Sequence, residues 1–376
     1  MTLQPPPHGG IDGARALFPE GIVEEEILDF SISVNPLGPP PGLREVLEAA
    51  LERLHCYPEI SAATLTEHLA AYHGLSPDHF IVGNGTADLL FALIPQLPRR
   101  EAVIPFPTFI EYERACAVNG WKILHVPPVD GGDFTFDPRG IADALTDGAT
   151  LFLCQPNNPT GCCLDRGSLK ALLERAERRG CTVVVDEAFL PFTDVPSAVP
   201  WVARHRRLIV LRSMTKSFAI PGLRLGYAAA SPDIIERWRT SLPPWNVNNL
   251  AQAAGLFCLE RGEAHLARSK RYIREERKRF TEEIRNHTSF EPLPSEANFL
   301  LVYLGPDFAA TRLYLSLARR GLLVRHCGSF RGMGDHHIRI GLKTRAENQR
   351  LLDALRAIAG EASLEAAGTA AGDLTA

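Results

Sequence analysis

The sequence predicts an α/β fold: a large, mostly parallel sheet covered on both faces, followed by a smaller α+β unit. Three observations carry this. Short apolar runs of strand length alternate with helical patterns from "HFIVGNG" to "LIVLRSMTK". Those runs are near-continuously hydrophobic, the pattern of strands buried on both faces. After "LPPWNVNNLAQAAG" the pattern changes, and one long charged helix precedes three further strand-like runs.

Taken in order, the first 40 residues are rich in Pro and Gly ("QPPPHGG", "NPLGPPPG") and read as an extended arm, with a short helix near Ile11–Phe18. "GLREVLEAALERL" and "LTEHLAAYHG" have helical spacing. "HFIVGNG" is a strand ending in glycines, and "TADLLFALIPQL" is the helix after it. "EAVIPFPTF", "KILHVPP", "TLFLCQPNNPTG", "CTVVVDEAF" and "LIVLRSMTK" read as buried strands, with helices such as "RGSLKALLERAERRG" between them. In "EAHLARSKRYIREERKRFTEEIRNH" acidic and basic residues interleave at helical spacing, which marks a solvated face rather than a nucleic-acid patch. "ANFLLVYL", "LLVRHC" and "HHIRIGL" are the strands of the smaller unit, and the Ala/Gly-rich tail "GEASLEAAGTAAGDLTA" is expected to be disordered. The expected division is an arm over 1–40, a large domain over 41–240, an interdomain helix with a small domain over 241–360, and a tail over 361–376.

Composition excludes several classes. With 376 residues, 45% hydrophobic, and a net charge of −4, nothing points to nucleic acid or a membrane surface as partner. No apolar run is long enough to span a bilayer. The start "MTLQPPPHGG" lacks the regions of a signal peptide. The eight cysteines show no Cys-x-x-Cys spacing, so no metal site or disulfide framework is expected, and a reducing, cytoplasmic compartment is.

The chemistry lies where an open α/β sheet builds its site, at strand ends. "GNGTAD" sets Gly83, Gly85 and Thr86 between a strand and a helix, either a tight turn or a phosphate-binding helix start. "QPNNPTG" carries Asn157 and Asn158 in a loop rich in turn formers. Asp186 closes a very apolar strand. A desolvated carboxylate needs a partner, which a cationic ring nitrogen, a helix start or a local ion pair would supply. In "SMTKSFAIPGLRLGY", Lys216 lies in partly apolar surroundings that lower an amine's pKa and make it nucleophilic. Ser213 and Arg224 beside it suit an anionic phosphate.

This ordered series, with "NPTG", "DEAF" and above all "SMTKSFAIPGLRLGY", resembles the fold-type-I enzymes that use pyridoxal 5′-phosphate, over roughly residues 8–357. The resemblance implies a mostly parallel seven-stranded sheet in the large domain, a smaller α+β domain joined by the N-terminal arm, and pyridoxal 5′-phosphate as cofactor. By it Lys216 carries the cofactor and Asp186 faces its ring nitrogen. Asn158 meets the ring oxygen, Phe109 stacks on the ring, and Gly85, Thr86, Ser213 and Arg224 hold the phosphate. Tyr57 in "CYPE" would reach the phosphate of a neighbouring subunit, which implies a homodimer with sites at the interface. Arg339 in "HHIRIGL" matches an arginine that grips a substrate carboxylate.

Within that superfamily the histidinol-phosphate aminotransferases usually carry Tyr where this chain has Phe189. "HGG", "LDFSISVNPLGPP" and "LPPWNVNNLAQAAG" look more like the L-threonine-O-3-phosphate decarboxylases of cobalamin synthesis, in which His8, Gly9, Asn35 and Arg325, with Ser33 and Asn158, would meet a small phosphorylated amino acid. Ser33 departs from that pattern, standing in "SISVNP" where "SANINP" has asparagine. Two other readings stand beside this one: a histidinol-phosphate-type aminotransferase, and a cofactor-binding regulator, which would need a DNA-binding module.

Overall fold

The computed structural model describes residues 8–18, 26–98, 100–129 and 132–372. Chain order is β1 (Leu28–Asp29), α1 (Leu43–Leu51), α2 (Ala63–His73), β2 (Phe80–Gly83), α3 (Thr86–Leu93), β3 (Glu101–Pro105), α4 (Glu111–Val118), β4 (Lys122–Val126), α5 (Pro138–Ala144), β5 (Thr150–Cys154), α6 (Arg166–Arg178), β6 (Thr182–Asp186), β7 (Leu208–Ser213), α7 (Met214–Ser217), β8 (Gly226–Ala229), α8 (Pro232–Arg239), α9 (Asn249–Arg261), α10 (Glu263–His287), β9 (Glu291–Pro292), β10 (Phe299–Tyr303), α11 (Ala310–Ala318), β11 (Leu322–Leu323), β12 (Arg325–His326), β13 (His337–Gly341) and α12 (Arg345–Gly372). The short helix expected in the arm is a 3-10 turn at Asp12–Leu17.

The seven-stranded sheet has the order β2-β8-β7-β6-β5-β3-β4. Strands β7, β6, β5, β3 and β4 run parallel, while β8 is antiparallel to both its neighbours. Successive residues of a strand face opposite sides. So Val183, Val185 and Val210 enter one core, and Val184, Ile209 and Phe152 enter the other. Burying both faces is what selected the continuous apolar runs. Two departures follow from position. β4, expected to be fully buried, alternates, because it is the edge strand and one side meets water. β8, "GYAA", escapes a hydrophobic-pattern reading because it has no β-branched residue.

The second sheet, β12-β13-β10-β9, is antiparallel, and β1 pairs with β11 beside it. "LLVRHC", expected as one strand, divides at Val324: Leu322–Leu323 pair with β1, and Arg325–His326 pair with β13. That switch turns Arg325 toward the site. The arm is tied down on both sides, since Leu28 N–H donates to Gly321 O at 2.9 Å and Gly341 N–H donates to Phe30 O at 2.8 Å. Phe30, Phe280, Phe299, Leu313 and Leu355 share one core beneath this sheet. The Ala-rich tail, expected to be disordered, continues α12 to Gly372, as the high helix propensity of alanine allows. Among the described residues no helix is long and apolar enough to cross a membrane.

Candidate active site

The floor of the site is made by the carboxyl ends of β6 and β7. Asp186 is the last residue of β6 and only 5% exposed. Its Oδ2 accepts a hydrogen bond from the Tyr112 hydroxyl at 2.8 Å, and its Oδ1 accepts from Ala188 N–H at 3.0 Å. Burial pushes the Asp186 carboxyl above its ordinary range, against the pull of Tyr112 and the Lys216 ammonium. Strand β7 ends at Ser213 and runs straight into α7, one turn of helix that carries Lys216. Burial lowers the pKa of Lys216; Asp186 opposes this, and the Arg224 and Arg339 guanidiniums reinforce it. Its Nζ lies 5.2 Å from the Phe189 ring centroid.

Beside the lysine is a cradle shaped for an anion. Gly85 has φ 89°, and a Cβ placed there would lie 2.6 Å from Arg224 Nη2. A side chain at 85 would therefore drive out the guanidinium. A Cβ at Gly226 would come within 2.8 Å of the Thr86 backbone nitrogen, so β8 also passes close to the start of α3. Arg224 itself sits at φ 58°, a conformation a non-glycine residue keeps only when its surroundings demand it. Ser213 Oγ and Thr215 Oγ1 are 2.8 Å apart on the same rim.

Above Lys216 is a cavity of about 380 Å3. His8, Gly9 and Ser33 line it from the arm; Phe109, Asn158, Lys216 and Arg224 line it from the floor; Arg325, Phe330 and Arg339 line it from the second sheet. Arg325 and Arg339 are direct cross-strand partners on β12 and β13. Like charges opposite each other on a sheet repel, and both of these are buried. Burial first, and Arg325 in addition, push Arg339 down to about 10. Arg339 donates to Asn158 Oδ1 and, at 2.7 Å, to Ser31 O, while its Nε has no partner among the described residues. Arg325 donates to His326 O at 2.5 Å and to Ser329 Oγ at 2.6 Å. The Ser33 hydroxyl is buried without a partner among the described residues. Among the described residues lining this space there is no Asp or Glu. Arranged so, the cavity can take up more than one negative charge beside a nucleophilic amine.

Most of the residues singled out in the sequence thus converge here. Gly85 lies against Arg224, Ser213 against Thr215 and Asp186 near Lys216, with Thr86 after Gly85 at the start of α3, and the others named above line the cavity. Gly9 is there because the arm must pass close: a Cβ would lie 2.5 Å from Ser31 O. Two residues are elsewhere. Asn35 is absent from the lining; its amide points into α7 and α10, where it donates to Ser217 O and Ser269 Oγ at 2.8 Å each. Tyr57 is 79% exposed and stacks on Trp245 at 4.6 Å, away from this chain's own cavity. Three contributors escaped the sequence reading. Tyr112 and Glu111 follow Phe109 at the start of α4, and Thr215 sits inside the lysine motif. Buried Glu111 holds His8, with 3.1 Å between Oε1 and Nε2. The only signal for them is their closeness in sequence to a motif residue.

Known proteins resemble the chain along nearly its whole length. The family described as aminotransferase class I and II matches residues 25–355. A histidinol-phosphate aminotransferase of Symbiobacterium thermophilum is 36% identical over 341 residues, covering 89% of this chain and 91% of its own. A threonine-phosphate decarboxylase of Salmonella typhimurium is 35% identical over 362 residues, covering 95% of this chain and 97% of its own. The crystal structure of the histidinol-phosphate aminotransferase from Clostridium acetobutylicum superimposes with a TM-score of 0.82 at 28% identity, covering 89% of this chain and all of that one.

Proposed function

The chain belongs to the class I and II aminotransferase family, which uses pyridoxal 5′-phosphate, and from that premise we propose that it is a decarboxylase of L-threonine O-3-phosphate. The residues present fit the cofactor: a buried amine, a buried carboxylate electrostatically coupled to it, and a glycine whose missing side chain leaves room for Arg224 at an anion cradle. When bound, pyridoxal 5′-phosphate supplies an electron sink for the pair left at Cα of an amino acid. Lys216 would anchor it, Asp186 would hold a proton on its ring nitrogen, and Arg224 with Ser213 and the α3 start would bind its phosphate.

One observation carries the choice of reaction. Beyond the phosphate cradle, two further buried guanidiniums, Arg325 and Arg339, stand side by side, and the described residues lining the cavity include no Asp or Glu. Phosphothreonine brings a carboxylate and a phosphate, one for each. Histidinol phosphate brings one anion and an imidazole, and so offers this pair of cations a single negative charge from the substrate side. Gripping both ends of so small a substrate fixes which Cα bond breaks. In the proposed reaction the Cα–carboxylate bond breaks and CO2 leaves. A proton delivered to Cα, by Lys216 in the lining or by water, then completes (R)-1-amino-2-propanol O-2-phosphate, the linker precursor of cobamides. His8, held by Glu111, and the Ser33 hydroxyl would add donors for the phosphate.

We infer also a homodimer in a reducing, cytoplasmic compartment. Leu51, Leu54, Tyr57, Ile60 and Trp245 leave an apolar surface exposed, which supports burial against a second copy with Tyr57 completing that copy's phosphate site. The test of the reaction is direct. Holoenzyme given phosphothreonine and no oxo acid should release CO2 and the phosphorylated amino alcohol in equal amounts. No CO2, with amino transfer once 2-oxoglutarate is added, would overturn it.

A further inference from the structure

We propose that Asn35 is a positioning residue for Lys216, clamping from outside the short helix that carries the amine. This rests on Lys216 holding the cofactor and is independent of which reaction follows.

Helix α7 is four residues long, too short to hold its own shape. Within its own segment the Lys216 carbonyl meets the Phe218 N–H and, at 3.4 Å, the Ala219 N–H. Asn35 adds a shorter bond from outside the helix. Its backbone N–H donates to Lys216 O at 2.9 Å, and its Nδ2 donates to the next carbonyl, Ser217 O, at 2.8 Å. The second amide hydrogen goes to Ser269 Oγ at 2.8 Å on α10, and Oδ1 accepts from Leu37 N–H at 3.0 Å. With both amide hydrogens used, the nearby His265 Nε2 is left to donate to Gly38 O at 3.0 Å, which pins the turn after Asn35. Every polar atom of the side chain is thus engaged inside the protein, and none faces the cavity. The same arm touches the substrate wall upstream, where Ser31 O accepts from Arg339. One extended segment therefore links the guanidinium that would grip substrate to the backbone of the lysine.

Displacing a reacting group by about 1 Å costs on the order of 10²-fold in rate. Asn35→Asp keeps the shape, the backbone N–H and the Leu37 bond, but sets an oxygen against Ser217 O. Asn35→Ala removes the donors without adding that repulsion, and either variant qualifies if it melts within about 5 °C of the parent. The expected result is a kcat about 10–100-fold lower, with KM for phosphothreonine changed less than about 3-fold. The absorbance band of the bound cofactor should titrate about one pH unit away from the parent midpoint. An unchanged titration with unchanged kcat would overturn the proposal, as would a raised KM at unchanged kcat, which would make Asn35 a substrate ligand. Lys216→Ala, which retains Asn35, should lose the band; a band that persists there breaks the cofactor premise instead.

Discussion

The floor and the wall of the cavity are assembled in different ways. Asp186, Ser213 and Lys216 come from two adjacent parallel strands and the turn after them, so a short stretch of chain sets their spacing. His8, Ser33, Arg325 and Arg339 come from the two ends of the chain and meet through long-range contacts, among them the pairing of β1 with β11 and of β12 with β13. The floor is chemistry common to a family that both moves amino groups and removes CO2. On the proposed reading, the wall chooses between them. Changes in the floor should therefore abolish every reaction, whereas changes in the wall should alter which substrate is held and leave the cofactor in place.

The largest effect is expected in the floor. Lys216→Ala should lose about 10³-fold or more of the activity together with the cofactor's absorbance band. Next comes the wall: Arg339→Ala or Arg325→Ala should raise KM for phosphothreonine about 10–100-fold and leave the band intact. Loss of the band in either would erase the distinction between floor and wall. Steady-state kinetics beside an absorbance spectrum measures both. A smaller effect is expected at the underside of the floor. Tyr112→Phe removes one of two hydrogen bonds to Asp186 and should weaken cofactor binding about 3–10-fold, measured by spectroscopic titration.

The smallest effect lies behind the floor. His73, bonded to the Tyr227 hydroxyl at 2.9 Å, is pushed down to about 4 by burial and by the Arg212 guanidinium. Between about 6.5 and 4 the unfolded chain binds this proton and the folded one does not, so stability falls as pH falls through that window. The loss should be about 1–3 kcal/mol. Denaturant melts of His73→Gln should show a flatter profile between those pH values; an identical slope would remove His73 as the cause.

The same contrast explains what was legible in the sequence. Strands buried on both faces announce themselves, so β5, β6 and β7 and the residues at their ends could be read directly. Strand β8 could not, because its place in the sheet is set by β2 and β7 rather than by its own side chains. Asn35 shows the limit more sharply. It lies two residues from Ser33, and a strand's alternation does not reveal that the chain turns there to meet α7. Tyr112 and Glu111 were hidden because a tyrosine and a glutamate at a helix start are ordinary residues until the fold brings Asp186 and His8 to them.

The central claim is that two buried guanidiniums read two anions on one small substrate. It is tested most directly by measuring kcat/KM side by side, for CO2 release from phosphothreonine and for amino transfer from histidinol phosphate to 2-oxoglutarate. The first should exceed the second by about 10²-fold or more. A larger value for amino transfer would contradict the claim.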